Sequence, residues 1–363
     1  MLVASLAAGC RSRPAPPKPY VAFVVNNQSA TLAAVDLANF RVVAQVPVAA
    51  DPERAVARPG STQVWVLSEA GSLSVVAFPE LRVVQSLRVA RDARDLTFTP
   101  DGRRAFILEA REGRIVFLDC QDGKEAGHVA LGAPLSSLAL TPDAQTLVAA
   151  APAQHKLFLV SMENQKALGS IEIGKEAGAM VALPYGSKVF VADMGENSVS
   201  AVDLGVRRLL SHIEIGAQPT SLALKPDGGE LFVLSAGANT LTILDAFHDN
   251  AEQTLPTGRE PTAGVFRRDG SVFFVANAGD GSVTAMDVRT RTLLASTSVG
   301  TEPRALALTP DERFLLVADS AASTLAALRA DPMSLGAGRS ALVTTVPVGA
   351  RPVDVVVPGW LWK

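Results

Sequence analysis

From residue 20 onward, short apolar runs alternate with polar turns, and the runs recur in a fixed order. A turn built on Pro-Asp-Gly marks the period. It stands at Pro59-Gly60, Pro100-Asp101-Gly102, Pro142-Asp143, Pro184-Tyr185-Gly186, Pro226-Asp227-Gly228, Arg268-Asp269-Gly270, Pro310-Asp311 and Pro358-Gly359. The spacing is 41 once, 42 five times and 48 once. Gly132, Gly174, Gly216, Gly258 and Gly300 each follow their turn by 32 residues. A constant period of this length marks a stacked repeat, each unit of which needs its neighbours to bury its faces.

Four strands are predicted per unit. The first ends at the turn (Leu138–Thr141, Leu222–Lys225, Leu306–Thr309) and carries small residues such as Ala139, Ala223 and Ala307. The second follows it (Lys188–Ala192, Leu231–Leu234, Val272–Val275, Phe314–Val317). Phe106, Phe190, Phe232 and Phe274 hold one phase of this strand, and Ile107, Val191, Val233 and Val275 the next. Apolar side chains in both phases mean that both faces are covered. The third is Val199–Asp203, Leu241–Asp245 and Val283–Asp287. The fourth (Ser211–Ile215, Thr297–Val299) alternates polar and apolar, so one side meets water.

These features predict an all-β fold: a β-propeller of four-stranded blades. Eight turns give eight first strands, hence eight blades. Seven is the alternative, should the unit at 51–90 not form a full blade. The chain starts with strands two to four and ends on a lone first strand, Val353–Val357. That strand is expected to complete the N-terminal blade and abolish free edges. The long interval implies an insertion around 330–340, between strands three and four of the last full repeat.

The repeats resemble the YVTN family of β-propellers, through Pro219 with Ser221–Gly228, Leu231–Leu234, Asn239–Asp245 and Gly258, and through Val275–Asn277 with Gly281–Asp287. The resemblance spans 20–357. It implies the fold and a bacterial or archaeal surface or periplasmic setting, and it names no activity. Residues 1–19 resemble a lipoprotein signal and tether. Ala7-Ala8-Gly9-Cys10 matches a lipobox, Cys10 is the expected lipidation site, and the stretch from Pro14 to Pro19 is an extended spacer. The short apolar run and the lack of a preceding basic residue point to a start codon upstream. Arg11 in place of Asp implies sorting to an outer membrane, facing the periplasm or the cell surface. Residues 20–363 are then one propeller domain.

Composition narrows the function classes. The chain is 48% hydrophobic and 19% charged, with 33 Lys plus Arg against 36 Asp plus Glu and a net charge of −3. This is not the basic signature of a nucleic-acid binder. Two cysteines, Cys10 and Cys120, cannot build a disulfide framework, and four scattered histidines do not outline a metal site. Asp119, Asp203, Asp245 and Asp287 recur at the end of strand three and are read as turn caps. Asp193, Asn277 and Asp319, after strand two, are also read as turn residues. His128 and His212 share an outer-strand phase and are expected to face solvent. Cys120 is read as an unpaired small residue, and Trp360 and Trp362 as caps of the closing blade. No catalytic residue, metal or cofactor is assigned, and no Cys-x-x-Cys-His haem motif occurs.

The informative charges lie in the loops leading into first strands. They include Asp51, Glu53, Arg54, Arg91, Asp92, Arg94, Asp95, Lys175, Glu176, Arg259, Glu260, Glu302, Arg304 and Arg351. In a propeller these loops gather at one mouth of the central channel, a concave place for binding. Arg54, Arg94, Asp95, Arg304, Arg351 and Asp354 are the candidate binding residues. Asp354 is aligned with Leu96, Leu138, Leu222 and Leu306, where a charge needs a partner. An Asp354–Arg54 pair at the closure is expected. The leading expectation is a non-enzymatic, lipid-anchored, monomeric scaffold binding an envelope protein or surface polymer. The alternative is a periplasmic enzyme or redox accessory, of lactonase-like or quinone- or haem-linked type, holding an anionic small molecule.

Overall fold

The computed structural model describes residues 20–331 and 341–359. Cys10, Trp360, Trp362 and most of the predicted insertion lie outside them. The described residues form eight antiparallel sheets of four strands. Blade 1 combines Val21–Asn26, Thr31–Asp36 and Arg41–Pro47 with the C-terminal strand Pro352–Val356. Blades 2 to 8 follow in chain order, with first strands Pro52–Ala57, Ala93–Phe98, Ser137–Leu140, Ala177–Ala182, Pro219–Leu224, Pro261–Phe266 and Pro303–Leu308. The unit at 51–90 forms a complete sheet, so the ring has eight blades and not seven. Neighbouring first strands touch all the way round, including the C-terminal strand against Pro52–Ala57, which closes the ring.

The core is divided as the repeat requires. Eight apolar clusters each lie between two adjacent blades. The second strands are buried along both phases, with Phe23, Phe106, Phe190, Phe232 and Phe274 nearly fully enclosed. Fourth strands such as Arg41–Pro47 alternate exposed and covered positions, because their outer side meets water. The closure is sealed by one of these clusters: Ala22, Val24 and Val35 of blade 1 pack with Val355 against Leu316, Ala318 and Leu325 of blade 8.

The recurring aspartates do turn chemistry. Asp101, Asp143, Asp227, Asp269 and Asp311 accept the backbone N–H two residues on. Asp119, Asp203, Asp245 and Asp287 accept N–H groups of the turn after strand three. A short carboxylate supplies the acceptor that a tight turn leaves missing.

Asp193, Asn277 and Asp319 correct the sequence reading. They are not in loops. Each is the last residue of a second strand and has no exposed surface. The spaced glycines exist for them. A Cβ on Gly174 would lie 2.4 Å from the Asp193 side chain, one on Gly258 2.6 Å from Asn277, and one on Gly300 1.8 Å from Asp319. Where the equivalent residue is Ala151, a Cβ on Gly132 would meet nothing within 4 Å.

Candidate functional site

Antiparallel order places two sets of connections at the same end of the ring: the loops leading into first strands, and those between second and third strands. The sheet registers make their residues comparable from blade to blade. Aligned by register, one inner position is Glu53 in blade 2, Arg94 in blade 3, Ser136 just ahead of the shorter first strand of blade 4, Gly178, Thr220 and Thr262 in blades 5 to 7, Arg304 in blade 8 and Val353 in blade 1. The residue after it is Arg54, Asp95, Ser137, Ala179, Ser221, Ala263, Ala305 and Asp354 in the same order. Every charge among these sixteen positions falls on blades 8, 1, 2 and 3. Blades 4 to 7 present hydroxyls and small residues only. The inner-strand lining therefore has a charged half and a small, weakly polar half, although the loops of blades 5 and 7 add the exposed pairs Lys175–Glu196 and Arg259–Asp280.

Asp354 corrects the predicted alignment. It pairs with Val25, as Arg54 pairs with Leu67 and Asp95 with Leu108, so it belongs with Arg54 and Asp95 and not with Leu96. The expected Asp354–Arg54 ion pair does not form. The Arg54 Nη1 bonds Asp95 of the next blade instead. Asp354 Oδ2 accepts the N–H of Ala55 at 2.9 Å, and its Oδ1 that of Val355 at 2.8 Å. Asp95 does the same one blade on, taking the N–H of Leu138 at 3.1 Å. The two carboxylates thus stitch first strands that share no ladder. Enclosure in the channel raises the pKa of Asp354, against the opposing pull of the Ala55 N–H and Arg54. Asp354→Leu is expected to cost about 1–3 kcal/mol, because the Ala55 N–H loses its acceptor. Urea titration checks this, and stability equal to the wild type would refute the stitch.

Around these lies a rim of paired charges. Arg94 bonds Glu69 at 2.6 Å and Asp92 at 3.2 Å, and Asp92 also holds Arg111. Glu53 Oε1 accepts from Asn27 at 2.9 Å. Burial raises the Glu53 pKa, with Glu69 adding to the rise and Arg351 and Arg94 opposing it. Arg304 is held by Glu302. Arg351 is exposed, and its guanidinium makes no ion pair among the described residues. Across the ring, the loops after second strands begin with Pro152, Met194, Ala236 and Ala278. A Cβ on Gly178 would lie 3.3 Å from the Met194 methyl, so this glycine lets the half-exposed thioether lie over the inner strand. Lys175 pairs with Glu196, and Arg259 with Asp280, elsewhere on the same face.

The readings of the outer-strand histidines and of Cys120 hold. His128 and His212 are both exposed; His128 pairs with Glu125, and the Nδ1 of His212 also lies 3.1 Å from Ser200 Oγ, a contact the sequence did not suggest. Cys120 is buried, and desolvation pushes its thiol up to about 11, so it is no thiolate nucleophile at neutral pH. Among the described residues no cluster of three or more His, Cys, Asp or Glu could hold a metal ion, and no helix is long and apolar enough to cross a membrane. The buried polar ends of the second strands were missed in the sequence. Their signal was a polar residue 19 positions after a repeat glycine, as in Gly174 and Asp193 or Gly300 and Asp319.

Solved structures share this ring. A dihydro-heme d1 dehydrogenase, NirN, in complex with DHE superposes with a TM-score of 0.81 at 16% identity, covering 99% of this chain and 79% of that one. A functionally unknown protein from Desulfotomaculum acetoxidans DSM 771 gives 0.64 at 18%, over 82% and 99%. Kuenenia stuttgartiensis hydrazine synthase gives 0.57 at 19%, over 71% and 87%. No protein-family model and no curated protein matches the sequence. At these identities the likeness establishes the fold. It also corrects the leading expectation of a non-enzymatic scaffold. Chains sharing most of this ring are by name a dehydrogenase and a synthase, so the lack of a familiar catalytic motif does not mark a passive scaffold.

Proposed function

We propose that this chain is an extracytoplasmic enzyme or redox accessory that takes an anionic small molecule at the channel mouth. The division of the mouth carries this reading. Guanidinium groups of Arg54, Arg94, Arg304 and Arg351 stand on one side, and on the other the inner strands carry small residues with Met194 beside them, their outer loops holding the paired cations Lys175 and Arg259. Such a bowl suits an amphipathic ligand whose carboxylates meet the arginines while its apolar body lies over blades 4 to 7. The carboxylates behind Arg94 and Arg304 fix those side chains in place, so less side-chain entropy is lost on binding. The nature of the heme-derivative dehydrogenase makes carboxylated tetrapyrroles the first class to test. The YVTN-like repeats and the lipobox at Ala7–Cys10 support a lipid-anchored place in a bacterial envelope, with residues 20–363 as the binding domain.

Haemin titrated into the purified chain, followed by absorbance, is expected to bind the wild type. Arg304→Ala with Arg351→Ala should weaken it about tenfold or more, as for the loss of charge-assisted hydrogen bonds. Raised salt should act in the same direction. Equal affinity in wild type and variant would remove the arginines from the site. If neither haemin nor a panel of di- and tricarboxylates bound the wild type, the proposal would fall.

A further inference from the structure

We propose that Asp193, Ser200 and His212 form a proton-loading site that crosses blade 5 from its outer strand to the buried end of its second strand. His212 lies on the outermost strand, Arg208–Glu214, with its side chain 43% exposed. Ser200, on the third strand, is fully buried opposite it, and Asp193 is fully buried at the end of the second. Ser200 Oγ lies 2.7 Å from Asp193 Oδ2 and 3.1 Å from His212 Nδ1, and the Gly174 N–H donates to it at 3.2 Å. A hydroxyl has one proton and two acceptor sites. With Asp193 ionised, Ser200 donates to the carboxylate and accepts from Gly174 and the Nδ1–H of His212. With Asp193 protonated the chain reverses: the acid donates to Ser200, and Ser200 donates to Nδ1 of His212 while still accepting from Gly174.

The same arrangement moves a proton. When solvent protonates His212 at its outer nitrogen, the Nδ1 proton passes to Ser200 Oγ. The Ser200 proton passes to Asp193 Oδ2. His212 ends neutral, Ser200 keeps one proton, and Asp193 ends as the acid. Asp193 is built to accept it. Its Oδ1 is buried without a hydrogen-bond partner, an acceptor position that costs most when the group is charged. Burial raises its pKa to about 6, against the smaller lowering effects of Ser200 and His212. The surrounding charges are of both signs, with acids in excess, and Arg208 also lies on the strand of His212. Lys175 and Glu176 stand in the incoming loop, and Lys175 pairs with Glu196 of the next loop. Glu214 shares the strand of His212. Lys166 and Glu172 lie on the adjoining outer strand of blade 4, and Glu252 on that of blade 6.

Other blades show that this is not a generic feature of the repeat. The matching trio is Asn277, Thr284 and Ser296 in blade 7, and Ser235, Thr242 and Thr254 in blade 6. These are polar and hydrogen-bonded but cannot titrate near neutrality. Blade 5 alone joins a buried carboxylate to an imidazole through a hydroxyl. The site stands whatever the mouth binds.

The test is a pH jump on the intact chain, followed in the infrared by the carbonyl band of a protonated carboxylic acid. Wild type should gain a band with a midpoint near pH 6, and Asp193→Asn should lack it. Ser200→Ala and His212→Gln should form the band about tenfold more slowly, the equivalent of roughly 1.4 kcal/mol in barrier. Ser200→Thr should restore the rate, since Thr284 and Thr242 show that the position accommodates it. Ser200→Ala is expected to fold, because Ala326 and Ala33 hold the same place in blades 8 and 1. A band unaffected by Asp193→Asn would overturn the site. Equal rates in all variants would overturn the relay.

Discussion

Gly300→Ala is expected to destabilise the ring by about 3 kcal/mol, the upper range for a side chain forced into packed structure. The new Cβ would fall 1.8 Å from Asp319 Oδ2 and 2.6 Å from its Cγ. Asp319 cannot give way cheaply. It is fully buried, and its oxygens accept the N–H groups of Thr301, Glu302 and Ala322. Moving it would strip a buried carboxylate of the donors that compensate its desolvation. Gly132→Ala is the matched control. Its Cβ meets no atom, and only its φ of +72° opposes the change, at about 1 kcal/mol. Adding Asp319→Ala to Gly300→Ala should leave the double variant more stable than the sum of the two losses predicts. Urea denaturation of the four proteins measures this coupling. Strict additivity would mean that the glycine is not there for Asp319.

Asp193→Asn should raise stability at pH 8 by on the order of 3 kcal/mol, since each pH unit between folded and unfolded pKa is worth about 1.4 kcal/mol. The sign follows from the direction of the shift. Burial raises the folded pKa from 3.8 to about 6. Above pH 6 the folded chain holds a buried charge that the unfolded chain hydrates, so the charge costs stability. As pH falls through 6 towards 3.8, the folded state takes up its proton first and the wild type gains stability. The advantage of the asparagine should therefore fade over that window and be absent below it. Asn277 shows that the amide fits, because its Nδ2 donates to Thr284 at 2.9 Å from the equivalent place. Urea midpoints measured from pH 4 to 8 decide the matter. Parallel profiles for the two proteins would show that Asp193 does not titrate in this range.

Both predictions concern residues that the sequence presented only as punctuation. The period, the glycine spacing and the burial of second strands could be read directly, because each unit repeats the same packing problem. Asp193 and Asp319 looked like loop residues because a polar residue after an apolar run usually ends a strand. Here the strand carries it inside, and a glycine from the incoming loop makes the room. The error at Asp354 has a different origin. Five residues separate Arg54 from Pro59, Asp95 from Pro100 and Ala305 from Pro310, but only four separate Asp354 from Pro358. The last turn does not lead into a hairpin, since its partner strand is Val21–Asn26 at the other end of the chain. Nothing holds that turn to the repeat length, and counting back from it slips by one.

The sequence by itself determined the eight-fold ring, its four-stranded blades, its closure by the last strand and the turn chemistry of its aspartates. These follow from local patterns repeated at constant spacing, and local patterns are set by backbone and burial. Only the tertiary structure decided which blades share the mouth charges, that Arg54 answers Asp95 and not Asp354, and that His212 reaches a buried carboxylate through Ser200. Those pairings depend on side chains brought together across blades or across strands of one sheet. Their partners are fixed by register, a relation that no stretch of the chain carries alone.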